Sequence, residues 1–363
     1  MEACGRAEVE EVGQDLKFLL AGGGTAGHVN PLLATADHLA DLGHQIEVVG
    51  TKEGLESGLV PERGYKLSFI PKLPFPRKLS PGLLIFPFRF LAIAFSLRKR
   101  VRACDCVIGF GGYVSAPVYL AAKLFSKPLV IHEANALPGI ANKFGSRFTS
   151  HVAISFPGKL KGRMIGVPLR AEIPASKDYD IQQARVELGL DPSKPVLLVT
   201  GGSQGAQRIN KAVIEASQKL KDAGVQVYHI AGQNNDLAEK ISDGYVRVGY
   251  CNRMELAIRA SDFAISRAGA ATVSELTALG VPALFIPYPV GNGEQRYNVA
   301  QLVESEAALM VEDRDFDAEF INRELIPILS SKKKLSEMGR TMQSFGKLDA
   351  TEKLVKMALE AVK

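Results

Sequence analysis

Short apolar runs alternate with amphipathic stretches along nearly the whole chain, the pattern of a parallel α/β architecture with crossover helices between buried strands. In the first half, strands are predicted over residues 17–21, 45–49, 67–70, 106–109, 129–132 and 152–155, with helices over 31–42, 83–102, 114–125 and 140–147. The pattern breaks at Gly166-Val167-Pro168-Leu169-Arg170 and at the polar stretch 171–180 that follows. A fresh series of strands is then predicted over 195–200, 225–230, 245–249, 263–266, 283–287 and 308–311. Two domains of ordinary size, 15–170 and 171–350, fit this division. Both open alike, with a strand running into a glycine-rich turn and a helix: Ala21-Gly22-Gly23-Gly24-Thr25-Ala26-Gly27-His28, then Gly201-Gly202-Ser203-Gln204-Gly205. Two such domains facing each other leave a cleft between the C-terminal edges of their sheets, where ligands bind in this architecture.

The first turn is the most informative stretch. Its glycines let bare backbone N–H groups and a helix N-terminus approach a ligand, an environment that suits phosphate. The helix is predicted to open at Pro31 and to carry Leu32, Leu33, Ala36, Leu39 and Ala40 on its apolar side. His28 adds an imidazole able to take a proton near neutral pH. The glycines Gly22-x-Gly24-x-x-Gly27 also satisfy the dinucleotide fingerprint, which requires an acidic residue closing the second strand. Here that strand runs out into Gly50-Thr51, with Glu47 inside it, so the dehydrogenase reading is disfavoured.

Other strand ends carry candidate chemistry. Arg267-Ala268-Gly269-Ala270-Ala271-Thr272-Val273-Ser274-Glu275 follows a strand and opens a helix, with small residues that let a diphosphate reach free N–H groups. Glu275 can accept from a ribose diol, or serve as the glutamate of a Thr272/Glu275 capping box. Gln295 and Asn298 are amides suited to sugar hydroxyls, or surface caps. His132-Glu133-Ala134-Asn135 and Gly111-Gly112-Tyr113 lie at two further strand ends, the latter with room for a bulky acceptor.

Composition narrows the classes. With 46% hydrophobic and 23% charged residues, the chain reads as globular with full cores. Cys4, Cys104, Cys106 and Cys251 lack zinc-site spacing and read as reduced thiols of a cytosolic protein. Residues 1–14 are acidic, lack the apolar core of a secretion signal, and read as a disordered leader. The most apolar stretch, 83–97, is too short for a span and contains Pro87 and Arg89. From Lys66 to Arg102 there are nine basic residues and no acidic one, exceeding the whole chain's net charge of +5. Arg77, Lys78, Arg89, Arg98, Lys99 and Arg100 are interleaved with Phe86, Phe88 and other apolar residues, a pattern for dipping into an anionic leaflet or for a buried helix with a solvated basic end. The phenylalanines sit within aliphatic runs, so nucleic acid is not an expected partner. The D-x-D matches at Asp178/Asp180, Asp313/Asp315 and Asp315/Asp317 have no strand leading into them, so no metal is assigned. No ATP-type phosphate loop is present, and no cofactor is expected.

Together these motifs resemble the MurG family of bacterial glycosyltransferases from about Lys17 to the C-terminus. The resemblance rests on Gly23 to His28, Gly111-Gly112-Tyr113-Val114-Ser115, His132 to Asn135, Gly201 to Ala206, and Arg267 to Glu275, in that order. It implies a GT-B fold of two Rossmann-like domains, with UDP-N-acetylglucosamine held mainly by the second. Donor contacts carried over by motif are Thr25, Ala26, Gly27, Asn135, Arg170, Ser203, Cys251, Ala270, Ala271, Thr272, Val273, Ser274, Glu275 and Gln295. It further implies lipid I (undecaprenyl-linked muramyl-pentapeptide) as acceptor, peripheral docking on the cytoplasmic membrane face through the basic, apolar segment, and a last helix, 351–362, crossing back to the first domain. Ala26, Val167, Cys251 and Glu294 stand where the family commonly carries glycine, asparagine, an aliphatic residue and glutamine.

The expected chemistry is an inverting displacement that makes lipid II. His28 is the candidate base for the muramyl 4-hydroxyl, and Glu133 an alternative base or an orienting group. Gly111 to Tyr113 would lie on the acceptor side. Rival expectations are another GT-B enzyme, such as a UDP-N-acetylglucosamine 2-epimerase, and a non-catalytic sugar-nucleotide-binding regulator.

Overall fold

Strand β1 (Lys17–Ala21) is apolar at every position after its lysine because parallel neighbours and helices cover both its faces. The computed structural model describes residues 15–75, 82–202, 205–233, 237–290 and 293–363. The expected leader, 1–14, lies outside them. In the first lobe β1 is followed by β2 (Gln45–Gly50), β3 (Lys66–Phe69), β4 (Cys106–Gly109), β5 (Leu129–Glu133), β6 (Val152–Ile154) and β7 (Arg163–Met164). They form one parallel sheet in the order β3-β2-β1-β4-β5-β6-β7. Leu20 pairs with Val48 on one side and Ile108 on the other. Alternate residues feed opposite faces. Phe18 and Leu20 join the core under the helix Ala26–Asp41, while Leu19 and Ala21 join the core under the helices Gly82–Ser96, Arg98–Ala103 and Gly112–Leu124.

The second lobe repeats the plan with β8 (Val196–Thr200), β9 (Gln226–Ile230), β10 (Lys240–Ser242), β11 (Tyr245–Val248), β12 (Phe263–Ser266), β13 (Ala283–Phe285) and β14 (Ala308–Met310). Their order is β10-β11-β9-β8-β12-β13-β14, parallel throughout except for the β10–β11 pair. The α/β class with two Rossmann-like sheets is therefore as expected.

The differences are local. β7 and β10 were not predicted, because their two and three residues are exposed and carry no apolar alternation. The helix expected to open at Pro31 opens at Ala26 instead, with Pro31 inside it. Gly24 (φ +88) and the extended Thr25 have already turned the chain, so a helix can start five residues before the proline. The helix expected over 83–102 is two helices meeting at Leu97. No described helix is long and apolar enough to cross a membrane.

The chain passes between the lobes twice. The helix Ala350–Val362 returns to the first lobe and buries Leu354, Val355, Met357 and Ala358 against Phe18, Leu20 and Ile108. Thr351 Oγ1 donates to the Leu169 carbonyl at 3.2 Å, tying the return to the outward connection. Ala134 and Val167 pack on Ala270 of the second lobe.

Candidate active site

The helix Ala26–Asp41, which follows β1, lies beside the helix Ala270–Ala278, which follows β12, across the gap between the lobes. The glycine turn after β1 thus delivers His28, the third residue of its helix, into the gap. A second turn lies against the ring. Gly111 (φ +88) and Gly112 (φ +77) follow β4, and a Cβ on either would sit 3.4–3.5 Å from the imidazole. His28 Nδ1 lies 3.1 Å from Thr25 Oγ1, which fixes the ring's rotation. Burial holds the imidazole below its ordinary value of 6.5, against the opposing influence of Glu133, the Gly23 carbonyl, Glu56 and Glu294. The ring is therefore neutral at pH 7 and able to accept a proton.

Glu133 ends β5 and is buried. Its Oε1 accepts from Asn135 N–H at 2.9 Å; its Oε2 accepts from Gly139 N–H at 3.0 Å and Asn142 Nδ2 at 2.9 Å. Both oxygens are engaged, by the loop 134–139 and by Asn142 of the helix that follows it. This arrangement shapes the loop and sets the field at His28, while Oε1, with a single hydrogen bond, keeps acceptor capacity. Tyr113 packs its ring over Gly24, where a Cβ would meet Cε1 at 3.3 Å. Gly112 and Tyr113 begin their helix rather than precede it.

On the opposite side, Gly269 caps the helix Ala270–Ala278, and a Cβ there would meet open space. Ala270, Ala271 and Thr272 form its first turn, with Val273 turned into the core. Thr272 makes no cap hydrogen bond, so the capping box is not formed. Glu275 instead pairs with Arg170, Oε1 to Nη2 at 3.4 Å. Burial raises the Glu275 carboxyl above its ordinary value, and the guanidinium opposes this. Arg170 Nε is buried without a hydrogen-bond partner among the described residues. Gln295 Oε1 accepts from Tyr288 N–H at 2.9 Å, and Cys251 is half-buried beside the Tyr228 hydroxyl at 3.8 Å. Ser203 lies outside the described residues. Among those described, no group of three His, Cys, Asp or Glu side chains is placed to hold a metal ion.

Asn298 is neither a surface cap nor free for a sugar hydroxyl. It is buried, its Oδ1 accepts from Ala136 N–H at 3.0 Å, and its Nδ2 donates to Asn135 Oδ1 and Ala268 O, both at 3.1 Å. It bridges the lobes and occupies Asn135. Only its position beside Gln295 pointed to it in the sequence. Glu56 was missed altogether, and carries the only fully buried carboxylate beside the glycine turn among the described residues.

In the basic segment, Leu84, Phe88, Leu91 and Phe95 expose one stripe of the helix Gly82–Ser96, with Leu84 77% and Phe88 73% accessible. Arg89, Arg98 and Lys99 are exposed beside it. Two expected members of the patch are also engaged within the protein, Phe86 partly buried and the Arg100 side chain 41% accessible. Phe86 stacks on Phe90 and meets Phe75 edge to face, and Arg100 binds the buried Glu47 at 3.1 Å and Ser68 Oγ at 2.7 Å, because an enclosed carboxylate needs a cation. Arg77 and Lys78 lie outside the described residues.

Residues 18–154 match the glycosyltransferase family 28 N-terminal domain and 196–354 the family 28 C-terminal domain. A protein of Clavibacter sepedonicus is 46% identical over 95% of this chain and 96% of its own length. One of Streptomyces avermitilis is 46% identical over 96% and 99%. Both are named UDP-N-acetylglucosamine–N-acetylmuramyl-(pentapeptide) pyrophosphoryl-undecaprenol N-acetylglucosamine transferase. The crystal structure of Acinetobacter baumannii MurG superposes with a TM-score of 0.77 at 27% identity, over 95% of this chain and 99% of that one. With both lobes and nearly the full length matched, the chain belongs to the MurG family of glycosyltransferases.

Proposed function

We propose that the protein transfers N-acetylglucosamine from UDP-N-acetylglucosamine to the muramyl 4-hydroxyl of lipid I, giving lipid II for peptidoglycan. One observation carries the mechanism: a neutral imidazole stands on a glycine shelf facing a helix start across the gap. With Nδ1 on Thr25, Nε2 takes the proton as the 4-oxygen bonds to the anomeric carbon. The bond from that carbon to the diphosphate breaks on the far side, so configuration inverts and UDP leaves with the electron pair. The N–H groups and positive end of the helix Ala270–Ala278 offset the charge that develops on UDP. Arg170, with its unpartnered Nε, adds a donor, and Glu275 accepts from the ribose hydroxyls. Thr25, Ala26 and Gly27 approach the sugar from the other lobe. On this reading residues 15–170 serve the acceptor and 171–350 the donor.

The same reading places the protein peripherally on the cytoplasmic face of the membrane, where a lipid-linked acceptor is presented. The exposed stripe of Leu84, Phe88, Leu91 and Phe95 beside Arg89, Arg98 and Lys99 supports this, since anionic headgroups attract bases while acyl chains accept apolar side chains.

The test is UDP release from several donor nucleotides, with and without a lipid I analogue. Release from UDP-N-acetylglucosamine only with the acceptor is expected. Epimerisation of the free nucleotide sugar, or donor binding without release, would refute the reading.

A further inference from the structure

Glu56 opens the short helix Glu56–Glu62, yet its carboxylate turns back under the glycine loop. Both Glu56 and Thr51 are fully buried. Oε2 accepts from Gly24 N–H at 2.9 Å, and Oε1 from Thr51 N–H at 2.9 Å and Thr51 Oγ1 at 3.0 Å. The Thr51 hydroxyl then meets the Tyr113 hydroxyl at 3.0 Å. Three glycines make space for the group: a Cβ on Gly23, Gly50 or Gly54 would lie 2.0–2.5 Å from Glu56 atoms. Among the described residues no cation pairs with it. A carboxylate buried without a cation costs free energy that a neutral amide or alkyl group would avoid, even with three donors around it. The loop it braces is the one that presents His28.

We propose that Glu56 is a positioning residue of the transfer reaction, holding the loop of His28 and, through Thr51, the phenol of Tyr113 as one unit. This rests on the transferase reading above. Gly24 N–H fixes the turn one residue before Thr25, the residue that sets the His28 ring. The Thr51 hydroxyl fixes Tyr113, whose ring covers Gly24 from the acceptor side. Base and acceptor shelf are thereby referred to a single carboxylate. Its charge also acts on the imidazole, together with Glu133 from β5 and Glu294 from the second lobe, while the neutral His132 lies behind.

Two variants separate positioning from mere packing. Glu56→Gln retains the shape but turns an N–H₂ toward one of the donors and removes the charge. Thr51→Val removes only the hydroxyl link. Wild-type UDP release is measured first, and its absence would count against the transferase reading itself. Histidine NMR titration, with the His28 signal assigned through His28→Gln, needs no activity. Glu56→Gln is expected to lower the His28 midpoint and to reduce kcat about 10–100-fold. Thr51→Val is expected to leave the midpoint in place and to worsen kcat/KM for the acceptor more than for the donor. A folded Glu56→Gln protein with an unmoved midpoint, or Thr51→Val with wild-type acceptor kinetics, would overturn the proposal. If Glu56→Gln does not fold, Thr51→Val decides alone.

Discussion

Arg170 Nη2 lies 3.4 Å from Glu275 Oε1, joining the segment that leaves the first lobe to the helix that opens the second lobe's half of the gap. Neither side chain is fully exposed, so the pair is screened less than a surface ion pair. Removing the carboxylate leaves the guanidinium unpaired and, in the proposed donor site, takes away the acceptor for the ribose. Glu275→Ala is expected to weaken UDP binding by about 10–100-fold, in line with loss of a charged hydrogen bond. Calorimetry with UDP reads this directly, and unchanged affinity would remove Glu275 from the donor site.

His28→Ala is expected to lower kcat by about 10²–10⁴-fold with donor affinity retained. Because burial depresses the imidazole, the acidic limb of kcat/KM belongs below 6.5. An acidic limb above 6.5, or near-native turnover in the variant, would exclude His28 as the base.

Two buried histidines outside the gap set the acid response of the fold. Burial is the main cause that lowers His132 and His229 to about 4. Above pH 6.5 they are neutral in folded and unfolded chains alike and add no slope. As pH falls from 6.5 toward 4 the unfolded chain binds protons that the folded chain refuses, so stability falls, by about 1.4 kcal/mol per pH unit for each group. His229 sits between Tyr245 Oη and Asn210 Oδ1, at 2.7 and 3.0 Å. His229→Gln, though less stable overall, is expected to flatten urea-midpoint profiles between pH 6.5 and 4.5. An equally steep profile would refute the assignment.

The strand series, the repeated glycine turns and their placement at one edge were legible because buried parallel strands announce themselves by continuous apolar runs. The start of the first helix was not. Pro31 reads as a helix opener, but Gly24 and Thr25 turn the chain earlier, and nothing short of the backbone dihedrals reveals that. Glu56, and the bridging role of Asn298, escaped for another reason. Their partners lie 32 residues away at Gly24 and 162 away at Ala136, so no local spacing records the contact. Arg100 shows the converse. Its charge was visible, but Glu47, 53 residues earlier, decides which way it faces.

That correction sharpens the membrane prediction. Arg98→Glu with Lys99→Glu, leaving Arg100 intact, is expected to weaken binding to anionic vesicles by about 1 kcal/mol or more per reversed base. Phe88→Ser is expected to weaken binding to anionic and neutral vesicles alike. Sedimentation with phosphatidylglycerol vesicles checks both, and full retention by the charge-reversed protein would reject this surface.

Asn298→Ala leaves Ala136 N–H and Ala268 O without their partner and frees Asn135. The expected loss is about 1–3 kcal/mol of stability for each buried group left unpaired. Scattering profiles should also report a wider spread of lobe separations than in the wild type. A variant with unchanged urea midpoint and profile would show that the bridge is idle.

The double passage of the chain has a mechanical corollary. Two strands of backbone crossing side by side at Leu169 and Thr351, stitched at 3.2 Å, behave like a pair of pins on a door. Opening and shutting about the line through them remains easy, while sliding and corkscrew movements are resisted.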